Sequence, residues 1–308
     1  MNTRNLEKYQ GIFPAFYACY DDAGAVSPER AEALARHLLK KGVQGVYVGG
    51  SSGECIYQGV EERKAVLEAV MRVAAGKMTV IAHVACNNTA DSCALAAHAQ
   101  ALHVDAIAAI PPIYFHLPEH AIAKYWNDIS AAAPDTDFII YNIPQLAGVG
   151  LTMPLYREML KNPRVIGVKN SSMPTQDIQL FKAEGGDRVT VFNGPDEQFI
   201  AGRAIGAAGG IGGTYGVMPE LFLKMNERFN AGDLAGAREI QYAANDIIYA
   251  MCACSGNLYA VMKKILEINE GLKIGSVRPP LPALEQSDLP QVEKCAKMVR
   301  DAVARCAG

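Results

Sequence analysis

FIIYNIP, Phe138 to Pro144, is a continuous apolar run that ends in polar residues and a proline. A strand with one wet face alternates apolar and polar residues, whereas a parallel strand buried on both faces reads as an unbroken apolar run. MTVIAHV, Met78 to Val84, reads the same way. Working outward from these two, the candidate strands are Gly11 to Tyr20, Gly45 to Gly49, Thr79 to Val84, Ala106 to Ile110, Phe138 to Asn142, Val165 to Lys169, Val189 to Asn193 and Gly209 to Gly212. Each is followed by a stretch of helical periodicity. Strands alternating with helices form βα units on a parallel sheet, and eight such units predict an α/β protein, a closed (βα)8 TIM barrel.

Local signals mark where helices begin and end. Ser27-Pro28-Glu29 sets a capping hydroxyl ahead of a first-turn proline, Asn88-Thr89 and Thr152 open further helices, and Gly42 closes the first. Beyond Gly232 the strand signals stop. Helical stretches then span Ala235 to Cys254, Asn257 to Asn269 and Leu289 to Ala304, broken by SVRPPLPALEQS. The expected organisation is a catalytic barrel over residues 1–232 and a C-terminal helical extension, residues 233–308, packed on it.

Composition narrows the function. Of the 308 residues half are hydrophobic and a fifth charged, the balance of a globular protein with a large core. A net charge of −3 without a long Lys or Arg run leaves no footprint for nucleic acid or an anionic membrane surface, so a small-molecule substrate is the expected partner. The start, MNTRNLEKYQ, has charges where a secretion signal needs an apolar segment, and no apolar run is long enough to span a bilayer. A cytoplasmic location is expected. Cysteines at 19, 55, 86, 93, 252, 254, 295 and 306 lack paired CxxC spacing and read as reduced thiols, mostly buried. The CxC of Cys252 and Cys254 has no nearby His pair, so no metal is implied.

Barrel enzymes build their sites where strands end. Three ends carry chemistry: GGSSGE at Gly49–Glu54, YNIP at Tyr141–Pro144 and GVKNSS at Gly167–Ser172. Lys169, behind an apolar run, would hold its amine in a poorly hydrated place. A desolvated amine loses its proton readily and can attack a ketone to form a Schiff base. Taken alone, a strand-end lysine more often pairs with a carboxylate or reaches solvent along its stem. Tyr141 would place a phenol for proton transfer near the same point, or be a core aromatic with a satisfied hydroxyl. The GGSSGE turn offers successive N–H groups and the hydroxyls of Ser51 and Ser52 to a carboxylate, and lacks the spacing of a nucleotide loop. Glu54 reads better as a loop cap than as a substrate contact. His37, His98, His120 and His83 fall in helices and in the third strand, as packing or surface residues. It is the coincidence of turn, phenol and amine at one barrel mouth that favours function.

YVGGSSGE, IAHV, YNIP, GVK, NGPDEQF and GGIGGTYG, in this order and spacing, give the chain a resemblance to the N-acetylneuraminate lyase and dihydrodipicolinate synthase superfamily of pyruvate-dependent class I aldolases. The resemblance spans nearly the whole chain. It implies that Lys169 forms a Schiff base with pyruvate, that Tyr141 shuttles the proton in aldol cleavage, and that no separate cofactor is required. It implies that Ser51 and Ser52 bind the pyruvate carboxylate, with Ser171, beside the lysine, among the substrate contacts. Tyr114 matches a residue that reaches a neighbouring subunit's site, implying a homotetramer. Leu146 stands where dihydrodipicolinate synthases carry an Arg for a second carboxylate, which points to the sialic acid branch. There Gly194, Asp196 and Glu197 match a segment that holds the sugar tail. Without the resemblance, the two acids read as a cap and first-turn acid of the helix that follows.

Two departures stand out. Gly213 replaces a Ser that contacts the sugar, and Ala18-Cys19 replaces the usual Thr-Pro after strand one. The implied reaction is cleavage of N-acetylneuraminate or a similar 2-oxo sugar acid to pyruvate and an N-acylhexosamine. The rivals are another aldolase of the superfamily, acting on a 2-keto-3-deoxy sugar acid or on an amino-semialdehyde, and a non-catalytic member that only binds a sugar acid or pyruvate.

Overall fold

The computed structural model describes residues 5–307; the first four residues of the charged start and Gly308 lie outside the described residues. The strands are β1 (Gly11–Pro14), β2 (Gly45–Val48), β3 (Thr79–His83), β4 (Ala106–Ala109), β5 (Asp137–Asn142), β6 (Val165–Asn170), β7 (Thr190–Asn193) and β8 (Gly209–Gly212). All pair in parallel, in the order β1-β8-β7-β6-β5-β4-β3-β2. The circle closes between β1 and β2, where Gln44 N donates to Ile12 O at 3.1 Å and Phe16 N to Tyr47 O at 2.9 Å. This is the expected (βα)8 barrel. The first strand is shorter than expected: Ala15 and Phe16 still bond Gly212 O and Tyr47 O, but beyond them the chain turns to the Ser52 and Ile274 carbonyls, which the Ala18 and Tyr20 amides bond.

The helices are α1 (Pro28–Lys41), α2 (Val60–Ala74), α3 (Thr89–Ala101), α4 (Glu119–Ala132), α5 (Pro144–Ala147), α6 (Met153–Met159), α7 (Gln176–Gly185), α8 (Phe199–Ala204) and α9 (Pro219–Asn230), then α10 (Leu234–Cys252), α11 (Leu258–Glu270) and α12 (Leu289–Ala307). The capping signals act as read. Ser27, Asn88 and Thr152 accept from the Arg30, Asp91 and Leu155 amides, and Gly42 ends α1 at a φ of 80° that favours glycine.

Two apolar layers follow from strand alternation. Inward residues, among them Phe13, Tyr47, Ile81, Ile139 and Phe192, fill the barrel, and outward ones such as Ile12, Val80, Ile140 and Val191 pack under the helices. One irregularity matters for the site. Phe138 pairs with Val165 but Ile139 with Gly167, so Ile166 is an extra residue in β6. Ile166 and Lys169 both face the interior although they are three residues apart, while Val168 faces out. Bulges re-aim side chains in this way; strict alternation from Ile166 would turn Lys169 away from the barrel.

The cysteines correct one expectation. All eight are free, but only Cys19 and Cys295 are buried, Cys252 is exposed and the other five are half-buried. Most lie on helices and loops outside the barrel, where one side of the residue meets solvent.

Candidate active site

Lys169 and Tyr141 are cross-strand partners at the top of β6 and β5. The lysine is 4% exposed. Its Nζ stands 3.9 Å from the Tyr141 ring centre and 4.1 Å from that of Tyr47 on β2. The rings meet edge to face, 5.6 Å apart. Aromatic faces favour a cation but cannot replace its hydration shell. Burial therefore lowers the Lys169 pKa to about 7, against the weaker opposing pull of Asp196. At neutral pH much of this amine is the free base, which is the nucleophilic form.

Tyr141 is buried, which pushes its hydroxyl up to about 12, while hydrogen bonding from the side chains of Ser51 and Ser171 works the other way. The phenol is thus protonated at rest and linked to two hydroxyls, the arrangement of a relay rather than of a free phenolate base. Ser52, also buried, bonds the hydroxyl of Tyr259, which α11 carries in from the C-terminal helices.

The Gly49–Glu54 turn is folded tightly. Gly53 and Cys55 amides donate to Gly50 O and the Glu54 amide to Ser51 O, and none of these bonds uses the Ser51 or Ser52 amide. Gly49 has a φ of 76°, and a Cβ on Gly50 would stand 2.7 Å from the Tyr47 ring, so side chains are excluded where the turn crosses the tyrosine. The strand ends are tied together. Asn142 donates to Asn170 at 2.7 Å, Asn170 to Ser172 at 2.9 Å, and the Ser171 amide to Asn142 O at 2.7 Å. Buried amide networks of this kind fix the side chains they carry.

Gly194, after β7, abuts Ser171, whose hydroxyl any Cβ there would strike. Asp196 and Glu197 part company. Asp196 is buried, with Oδ2 accepting from the Thr214 amide and hydroxyl at 2.7 Å each and Oδ1 without a partner. Burial first of all raises its pKa to about 6. Glu197 is exposed, and its backbone carbonyl accepts from Asn245. Pro195, not either acid, holds the cap position of the next turn.

Gly213 offers its carbonyl to Tyr17 at 2.6 Å, and a Cβ there would sit 3.3 Å from Ser52 Oγ. Ala18 and Cys19 are buried, and the Ala18 amide holds Ser52 O at 3.0 Å. This departure therefore underlies the turn instead of facing a ligand. Leu146 is exposed on α5.

Tyr114 stands apart from the cluster, 86% exposed at a φ of 83° and packed edge to face on Phe115. Glu54 differs from expectation: it makes no capping bond, and instead buries its carboxylate against Lys263 of α11 at 2.8 Å. Sequence reasoning passed over Tyr47, although it lies inside YVGGSSGE. It had no signal for Tyr259 or Lys263, which both come from α11, beyond the barrel.

A family model described as the dihydrodipicolinate synthetase family matches residues 8–299. The chain is 68% identical over 299 residues to the N-acetylneuraminate lyase of Mediterraneibacter gnavus, covering 97% of this chain and 95% of that protein. It is 34% identical to the N-acetylneuraminate lyase of Rhizobium meliloti, with 92% of each covered. Among solved structures, a catalytic lysine mutant of the Ruminococcus gnavus sialic acid aldolase superposes with a TM-score of 0.97 at 67% identity, over 98% of this chain and 99% of that one.

Proposed function

This chain belongs to the dihydrodipicolinate synthetase family, and within that family we propose that it is a carbon–carbon lyase that reversibly cleaves N-acetylneuraminate to pyruvate and N-acetylmannosamine. The observation that carries the reading is the Lys169 amine, buried between two tyrosine rings with a pKa near 7 and one strand from a hydroxyl-linked phenol. Similarity to lyases named for this substrate supports the choice of sugar acid.

The neutral Lys169 amine adds to the C2 ketone, and loss of water gives an iminium. The C3–C4 bond then breaks, and its electron pair moves into the C2–C3 bond to form an enamine. The C4 hydroxyl proton passes to Tyr141 as the Tyr141 proton moves to Ser51 and the Ser51 proton to the substrate carboxylate, so no free phenolate is required. Once the aldehyde has formed, the relay runs back and Tyr141 delivers the proton to C3, turning the enamine into the iminium of pyruvate. Hydrolysis releases pyruvate and regenerates the amine, with no dissociable cofactor.

Ser51, Ser52 and the turn amides receive the substrate carboxylate. Ser171 and Gly194 border the sugar chain, and the open oxygen of Asp196 accepts from one of its hydroxyls, with Glu197 at the rim and Gly213 leaving room opposite Ser52. Residues 1–232 act as the catalytic barrel and 233–308 as an extension that contributes Tyr259. Tyr114, too exposed to serve its own site, reaches that of a neighbouring subunit in a homotetramer, and the enzyme works in the cytoplasm.

A lactate dehydrogenase-coupled assay of pyruvate release from N-acetylneuraminate, run on wild type and Lys169→Ala, tests this. Release by wild type alone supports both substrate and nucleophile. Silence from wild type, with release from a 2-keto-3-deoxy sugar acid instead, would move the substrate assignment to the space at Gly213.

A further inference from the structure

Arg63, on the first turn of α2, is 6% exposed, yet all the partners of its guanidinium are neutral. It donates to His83 O at 2.6 Å and to Ala85 O at 2.8 Å, and lies 3.2 Å from Cys86 Sγ. Among the described residues no carboxylate pairs with it. The acids nearest in sequence are committed elsewhere: Glu61 to Lys64, Glu62 to Arg278 and the Gly59 amide, Glu68 to His98, and Glu54 to Lys263 and the Arg278 amide. Its charge adds to the positive end of the α2 dipole. A buried cation without a counter-charge costs folding free energy, and such a cost is met where function uses the charge.

The turn that would take the substrate carboxylate lies directly above. One guanidinium nitrogen stands 3.9 Å from the position of a Cβ on Gly49, the first residue of that turn. Arg63, His83, Gly49 and Gly53 line one small cavity of about 20 Å³. His83 links the two further: its carbonyl takes the Arg63 donor, and its Nδ1 meets Gly49 O at 2.8 Å. Burial and the adjacent Arg63 keep that imidazole neutral, so the guanidinium is the fixed positive charge of this corner.

We propose that Arg63 is an electrostatic positioning residue for the substrate carboxylate, supplying from beneath the Gly49–Glu54 turn the counter-charge that the turn itself lacks, and holding the turn through His83. The proposal rests on the Schiff-base reading of Lys169. In a medium of low dielectric such a charge acts over several ångströms, so it discriminates between charged and neutral ligands without touching either.

The test uses pyruvate and its neutral methyl ester, methyl pyruvate, each trapped on Lys169 by borohydride and quantified by peptide mass mapping. Arg63→Met is expected to raise the pyruvate concentration for half-labelling roughly tenfold or more while moving that for methyl pyruvate less than about twofold. Arg63→Lys, which keeps the charge, is expected to return pyruvate to within about threefold of wild type. If Arg63→Met does not fold, Arg63→Gln, which retains an N–H for the His83 carbonyl, takes its place in the same comparison. Equal shifts for both ketones, no shift for either, or a Lys variant as weak as the neutral one would overturn the proposal and leave Arg63 a structural brace. A wild type that neither ketone labels would instead remove the Schiff-base reading, and this proposal with it.

Discussion

Two lysines are buried among the described residues, and they have opposite surroundings. Lys169 sits in the barrel mouth over two aromatic faces, with no carboxylate bonded to it among the described residues. Lys263 sits between α11 and the barrel, bonded to Glu54 at 2.8 Å and to Ser276 O at 2.6 Å. Burial lowers the pKa of both, but at Lys263 the Glu54 charge and hydrogen bond push back. Burial alone therefore does not make a nucleophile. A lysine given a carboxylate becomes a cross-link, and one denied it becomes an amine ready to react.

The comparison would break first at Lys169. Lys169→Ala is expected to lower pyruvate release by roughly 10³-fold or more without loss of melting temperature. A variant that kept its activity would show that another amine does the chemistry. Lys263→Met should do the reverse. It strands Glu54 in the interior, and stability is expected to fall by about 3–5 kcal/mol in urea unfolding, while Lys169 in the folded fraction is still trapped by pyruvate and borohydride. A Lys263→Met protein as stable as wild type would mean that the pair is not a cross-link.

A pH series sharpens the contrast. The free base of Lys169 attacks, so the rate of Schiff-base formation should climb about tenfold per pH unit up to about 7 and then level off. Stability has the same sign. The folded pKa near 7 lies below the unfolded value near 10.4, so between the two the unfolded chain holds more protons and the fold gains with rising pH. Relative to Lys169→Met, wild type should gain up to about 1.4 kcal/mol per pH unit across that window. A flat difference would place the amine in water.

The smallest effect concerns the rim of the cross-link. Tyr20 donates to Glu54 at 3.1 Å, and Tyr20→Phe is expected to cost about 1 kcal/mol with the trapping profile of Lys169 unmoved. A shifted profile would show that the two lysines are coupled through the Gly49–Glu54 turn.

The barrel was legible because its evidence is local. Unbroken apolar runs mark strands buried on both faces, and caps such as Ser27 and Asn88 act on amides three residues away. The motif set brought Lys169, Tyr141, Ser51, Ser52, Ser171 and Gly194 to one mouth, and the structure places them there. It was less sure of the acids. Asp196 and Glu197 look equivalent in sequence, but one carboxylate is bound by Thr214 and the other lies in solvent. Glu54 read as a cap because its partner is 209 residues away.

By itself, then, the chain determined the order of its βα units and which residues stand at strand ends, since both follow from hydrophobic period and backbone capping within a few residues. Only the tertiary structure decided which way those residues face and what meets them. The extra residue at Ile166 changes the parity of β6 and turns Lys169 inward, a one-residue shift that hydrophobic pattern does not record. Tyr47 and Tyr259 converge on the mouth from β2 and α11, and Lys263 of α11 reaches the Glu54 carboxylate, because a closed barrel brings distant segments into contact, and contacts made across that distance leave no period in the sequence.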